Sequence, residues 1–260
     1  MSLKSVFNRL HPAGWVTVGF LVLSIVATVF TDTDFLIGRL PWWLWLVLIL
    51  IVGLSAAPDF LHRIRLGLEA VSRFTGSIVW KLAWLVFIIQ LFNVITRYTN
   101  NWFETDILFG QTTSLAWMSF GLLFLIGVNY GVWAGVNPRI DFWWANFSNR
   151  RKAWIDFVFH VALFLPFLIM GIRALIPYSA INLGRRFDGT WPSGWKVWQS
   201  WVEATDADQL PTGPIRAFIL VGFILWAMQI VAEIIKTGFV IIGRDDLGEV
   251  KESDVPLRVE

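Results

Sequence analysis

Apolar residues in this chain neither alternate nor keep to one face. They run on in long stretches separated by short polar segments. A helix needs roughly 20 apolar residues to cross the ~30 Å hydrocarbon core of a bilayer, and six runs approach that length. They cover 13–30, 42–56, 77–95, 114–136, 153–176 and 215–242. The second is short, and the third is interrupted only by Lys81, Gln90 and Asn93. Lipid offers no hydrogen bonds to a backbone, so such runs are satisfied as helices. The expectation is an all-α integral membrane protein of about six transmembrane helices. The run after Lys4 and Arg9 lacks a clean small-x-small cleavage site in Thr31-Asp32-Thr33-Asp34, which favours an uncleaved span over a signal peptide.

The charges between the runs set an orientation, because Lys and Arg collect on the cytoplasmic side. With the N-terminus inside, the inner segments hold Lys4 and Arg9, then Arg63, Arg65 and Arg73, then Arg139, Arg150, Arg151 and Lys152. The opposite short loops hold Arg39 and Arg97 beside Asp32, Asp34, Glu104 and Asp106. Six crossings return the C-terminus to the cytoplasm. The loop with Arg185, Arg186 and Lys196 runs against the rule.

Two connecting segments carry helical periodicity. From Pro58 to Phe74, Leu61, Ile64, Leu68 and Val71 recur at three-to-four spacing, with His62, Arg63, Glu69 and Arg73 on other faces. That predicts an amphipathic helix on the inner leaflet, or one packed on the protein's own spans. In the loop before the last run, Ser193 stands as an N-cap ahead of Trp195, Trp198 and Val202, again with an interfacial or a packed reading.

Composition agrees with a lipid solvent. The chain is 56% hydrophobic and 15% charged, and its 17 Trp suit the water-lipid boundary. Cys is absent, which excludes disulfides, thiolate nucleophiles, zinc-thiolate sites and iron-sulfur clusters. A net charge of +2 gives no case for nucleic acid.

Charges within spans cost roughly 2.5 to 3.5 kcal/mol on insertion scales and so tend to have a partner or a task. Lys81, Asp156, Glu233 and Lys236 all fall toward the inner ends of their spans. Together they suggest an inner-leaflet ion-pair network joining spans three, five and six, with Lys81 between Asp156 and Glu233. The rival reading is a proton or ion relay through Asp156, His160 and Glu233. Haem ligation fails on counting: the three histidines are His11, His62 and His160, and two facing ligands at one depth are needed. A lone His160 reads as a packing residue. Span four carries Gly127, Gly131 and Gly135, every fourth residue, with Asn129 and Tyr130 alongside. That face admits a close helix, either from this chain or from another membrane subunit.

The sequence contains no Walker phosphate loop, dinucleotide glycine fingerprint, His-Glu-x-x-His helix or nucleophile elbow. No catalytic, cofactor-binding or metal-ligating residue is expected, and no cofactor. Paired broken helices in inverted halves, the mark of a carrier, are also not evident.

An ordered series of short motifs runs through about residues 68–240. Asn93-Val94-Ile95-Thr96-Arg97-Tyr98 ends span three, and Gly127-Val128-Asn129-Tyr130 ends span four, followed by Asn137-Pro138-Arg139-Ile140-Asp141. Ser148-Asn149-Arg150-Arg151-Lys152-Ala153-Trp154-Ile155-Asp156 opens span five. Ser200-Trp201, Glu203, Leu210-Pro211, Arg216, Gln229 and Glu233 complete the series. In this order and spacing the chain resembles the small, Q-type (DctQ) membrane subunit of tripartite ATP-independent periplasmic (TRAP) transporters. The resemblance implies an accessory subunit, not an enzyme, in the bacterial inner membrane. Its implied partners are a large permease that carries solute and sodium in an elevator-like motion and a soluble periplasmic solute-binding protein. The family usually has four transmembrane helices, so residues 1–57 read as a two-helix extension, 58–243 as the family-like domain and 244–260 as a polar cytoplasmic tail. The added helices leave a second reading, a structural subunit recruited to a respiratory or photosynthetic complex.

Overall fold

Each apolar run forms a helix in the computed structural model, which describes residues 12–31, 42–103, 112–136, 146–194 and 210–248. In order these are α1 Pro12–Thr31, α2 Trp42–Ala56, α3 Pro58–Phe103, α4 Thr112–Ala134, α5 Asn149–Phe159, a π-helical turn His160–Phe164, α6 Leu165–Asn182 and α7 Gly213–Ile241. No strand ladder occurs among the described residues. The chain is an all-α membrane protein.

Among the described residues four helices are long and apolar enough to cross a membrane: α3, α4, the continuous Asn149–Asn182 helix, and α7. The first two expected spans appear as α1, of 20 residues, and α2, of 15. At 1.5 Å per residue α2 is about 22 Å long, shorter than the hydrocarbon core.

The amphipathic segment and the third span, expected as two elements, are one helix of 46 residues. Gly76 lies where a break would be placed, yet it serves packing. A Cβ there would sit 2.2 Å from the Tyr130 ring, so the missing side chain admits α4 without ending the helix.

The face that α3 buries also differs from expectation. Glu69, Ser72 and Thr75 are buried, while Phe60, Ile64, Leu66 and Phe74 are exposed. Leu61 alone of the anticipated apolar set is buried. Ser72 and Thr75 turn inward because they find hydrogen-bond partners within the protein.

The π-helical turn has a covalent cause. Pro166 has no N–H for the carbonyl four residues back, and its ring crowds that carbonyl. The ladder loosens just before it, with Leu165 N–H reaching the His160 carbonyl five residues back. Helix ends are closed by backbone. At α6, Gly184 N–H donates to Ile181 O and Arg185 N–H to Ala180 O. At α7, Gly243 N–H donates to Val240 O and Arg244 N–H to Phe239 O. Both are Schellman closures, with glycines at φ 104° and 77°.

The chain divides into two compact units. One comprises Met1–Glu69, Gly135–Pro166 and Ile230–Glu260. Its core joins Leu54 of α2, Leu61 of α3, and Ile235 and Phe239 of α7, with Leu50, Val231, Ile242 and Leu247 around them. The two N-terminal helices pack on each other, and α2 is fitted to α7: a Cβ on Gly238 would meet Leu54 Cδ1 at 2.6 Å. Arg65 Nη1 donates to the Leu247 carbonyl at 2.7 Å, and Arg150 Nη2 to the Ile241 carbonyl at 3.1 Å. Arg150 thus covers the negative end of α7, while Arg65 ties down the turn that follows it.

The other unit comprises Ala70–Ala134 and Phe167–Gln229. Its helices meet at glycines. Cβ atoms on Gly171 and Gly222 would approach the Phe223 ring at 2.6 Å and the Leu125 backbone oxygen at 3.1 Å. Phe167, Phe223 and Trp226 form an aromatic cluster with centroids 5.9 to 6.2 Å apart.

Candidate functional site

Within the second unit, α3, α4 and α7 meet through side chains that an apolar bundle would not need. Ser72, Asn129 and Gln229 are at most 1% exposed, and Thr75 6%. Ser72 Oγ donates to Gln229 Oε1 at 2.6 Å. Asn129 Nδ2 donates to Ser72 Oγ at 3.2 Å and to Thr75 Oγ1 at 3.0 Å. The Thr75 hydroxyl donates to the Ser72 carbonyl at 2.9 Å. Each hydroxyl passes one proton on while accepting another, so the bonds run in one direction from Asn129 through both hydroxyls. A buried polar group without a partner costs free energy, and a fully paired set fixes its helices in register. The Arg73 guanidinium lies 5.9 Å from the Trp133 ring centroid, adding a cation-π contact between α3 and α4.

The expected charged residues fall in both units. Lys236 Nζ and Glu233 Oε2 are 2.7 Å apart in the first unit, and their side chains are only 3% and 10% exposed. Three residues separate them on α7, so the pair is local to one helix. Thr237 Oγ1 donates to the Glu233 carbonyl at 2.7 Å. Asp156 is half-buried on α5, and Lys81 is exposed on α3 in the second unit.

Two further buried charges stand outside the expected set, Glu69 and Lys152, at 8% and 5% exposure. Arg65 Nε lies 3.5 Å from Glu69 Oε1. That is near enough for attraction, but the Nε–H makes no hydrogen bond.

Of the three spaced glycines, Gly127 faces Val79 of α3, where an added Cβ would make an ordinary 3.6 Å contact. Gly131 is half-buried on α4. Gly135 lies past the end of α4 at φ 72° and serves as its left-handed terminator. His160 begins the π-helical turn and stacks on Phe164, with centroids 5.7 Å apart.

Ser72 and Thr75 are the site residues that sequence reasoning missed, since small hydroxyls barely alter hydropathy. Their signal was position: with Leu68 and Gly76 they fall on one side of α3, while Phe60 and Phe74 are exposed. Ser193 lies in an exposed turn, and the helix it was expected to cap, with Trp195, Trp198 and Val202, falls in 195–209, outside the described residues. Before it, Asp188 accepts hydrogen bonds from Thr190 N–H at 2.9 Å and Thr190 Oγ1 at 2.7 Å. The backbone and then the hydroxyl bond hold this exposed carboxyl below its ordinary value.

No curated protein and no solved structure matches the chain. Residues 85–237 match the family described as Tripartite ATP-independent periplasmic transporters, DctQ component. The matched stretch includes Asn129, Gln229, Glu233 and Lys236, and leaves α1, α2 and the first part of α3 outside. With more than half its length inside that match, the chain belongs to the DctQ family and is a multi-pass inner-membrane small subunit of a TRAP transporter.

Proposed function

We propose that this subunit is a non-translocating, non-enzymatic scaffold that holds the large permease of a sodium-driven TRAP transporter. A periplasmic solute-binding protein delivers the solute, and both termini of the chain are cytoplasmic. The observation that carries the reading is the junction of Ser72, Thr75, Asn129 and Gln229. Its neutral groups spend their hydrogen bonds on one another, which suits a brace better than a carrier site that must open to a solute. The basic inner segments favour the orientation.

In this reading residues 1–57 are a built-in extension of a scaffold formed by 58–243, and 244–260 are a cytoplasmic tail. Lys81, Asp156, Glu233 and Lys236 serve structure toward the inner leaflet, and Glu233 and Lys236 form a local pair on α7. Val79 beside Gly127 favours packing within the chain for the glycine face.

The test is solute uptake into proteoliposomes containing the large permease and its loaded binding protein, with and without this chain. Uptake driven by an inward sodium gradient and lost without the chain is expected, together with absence of uptake by the chain alone. Uptake by the chain alone would refute the scaffold reading.

A further inference from the structure

Arg173 stands on α6 inside the apolar run 153–176. Its place on the helix turns it away from α7. Leu168, Gly171 and Ser179 mark the packed side: Leu168 is fully buried, a Cβ on Gly171 would meet the Phe223 ring at 2.6 Å, and Ser179 Oγ donates to the Ala217 carbonyl at 3.2 Å. At 100° per residue, Arg173 lies about 160° round the helix from Gly171. Its neighbours about one turn either way, Met170 and Ile176, are exposed, as is Arg173 itself. Arg173 makes no hydrogen bond or ion pair with any described residue.

A guanidinium keeps its proton at any physiological pH, so it cannot enter hydrocarbon as a neutral group and needs an anion. No acid stands on α6. Depth selects the partner instead. Tyr178 is exposed five residues further along α6, about 7.5 Å on, and exposed Tyr marks the headgroup boundary. An extended arginine side chain reaches about 6 Å, which brings its head to the lipid phosphates. Its planar fork of N–H donors matches the two free oxygens of a phosphodiester. Past the end of α6, Arg185 and Arg186 are exposed, and Asp188 is the one acid in 183–194. This excess of positive charge favours a headgroup of net negative charge.

We propose that Arg173 binds the phosphodiester of an anionic phospholipid in the leaflet at the C-terminal end of α6. The acyl chains run from there along Met170 and Phe167 toward mid-membrane. Charge and reach together select this occupant: hydrocarbon alone offers the guanidinium nothing, and the phosphate layer is the nearest plane of anions. The site is independent of the scaffold role.

The test is native mass spectrometry of the full chain in mild detergent, titrated with dioleoylphosphatidylglycerol, dioleoylphosphatidylcholine, dioleoylglycerol or inorganic phosphate. One phosphatidylglycerol should be retained in preference to phosphatidylcholine, with no retention of dioleoylglycerol or inorganic phosphate. Arg173→Leu should lower the retained fraction at least fivefold, and Arg173→Lys should keep part of it. Arg151→Ala, which removes an exposed cation of α5, should leave it unchanged. Undiminished retention by Arg173→Leu, or dioleoylglycerol bound as well as phosphatidylglycerol, overturns the site. Inorganic phosphate that displaces the lipid would assign Arg173 to a free anion, and release of the lipid on joining the large subunit would assign it to a protein carboxylate; either result overturns the phospholipid. If Arg173→Leu fails to fold, the comparison of phosphatidylglycerol with dioleoylglycerol on the unaltered chain decides.

Discussion

Ser72 on α3 donates its hydroxyl proton to the side-chain oxygen of Gln229 on α7 at 2.6 Å, and both residues are buried. The chain separates them by 157 positions, so one bond ties an early part of α3 to the middle of the last helix. Because Asn129 also donates to Ser72, losing Gln229 disturbs α4 as well.

Gln229→Leu should therefore destabilise the detergent-solubilised protein by about 1–3 kcal/mol, the cost of leaving buried polar groups unpaired. Ser72→Ala should cost less, since it removes a smaller group. A double-mutant cycle read by thermal unfolding should give a Ser72–Gln229 coupling of about 0.6 kcal/mol or more, with about 1.7 as the upper end for bonds of this kind in membranes. Coupling near zero would mean the bond holds nothing.

Glycine substitutions should follow the contacts rather than the spacing. Gly76→Ala drives a Cβ into the Tyr130 ring and should cost about 1–3 kcal/mol. Tyr130→Ala should relieve much of that cost. Gly127→Ala meets only ordinary contact with Val79 and should be neutral or gain a few tenths of a kcal/mol from helix propensity. At Gly238 the opposing atom is the mobile tip of Leu54, so Ala should be tolerated better than at Gly76. Melting temperatures of the three variants decide the order.

The Glu233–Lys236 pair is enclosed, so breaking it should be worse than removing it. Lys236→Met should cost about 3–5 kcal/mol, because the buried carboxylate loses the ammonium 2.7 Å away. Glu233→Leu with Lys236→Met together should cost clearly less. For the wider network, Lys81→Ala and Asp156→Ala should each weaken folding or assembly with the large subunit. If both leave these intact, the network does not exist.

The turn at Asp188 should respond to acid. Its folded value lies below the ordinary 3.8 through the Thr190 bonds. Its contribution is therefore complete above 3.8 and fades as pH falls through the lowered folded value. Hydrogen exchange at the Thr190 amide should accelerate over that acid range, and Asp188→Asn should remove most of the pH response.

The long spans were legible because run length and hydropathy record the thickness of a bilayer, and α3, α4 and α7 contain their expected runs almost residue for residue. The junction was half legible: Asn129 stood beside the glycines of span four and Gln229 in the family-like motif series, and the family match includes both. The orientation of α3 was not, because helical periodicity is ordinarily read as apolar residues facing the core. Here Phe60 and Phe74 turn outward while Glu69, Ser72 and Thr75 turn in, because Ser72 and Thr75 find hydrogen-bond partners on α4 and α7. The loosened turn at His160 followed from Pro166, visible in the sequence but six positions downstream. The role of Gly76 was not legible because the Tyr130 ring that fills its space lies 54 positions away.

The scaffold account depends most directly on a physical partner. Tagged full-length chain, purified in mild detergent from membranes that also express a large TRAP permease subunit, should bring down that permease in near-equal amount. Recovery of respiratory or photosynthetic proteins without any large permease would contradict the account.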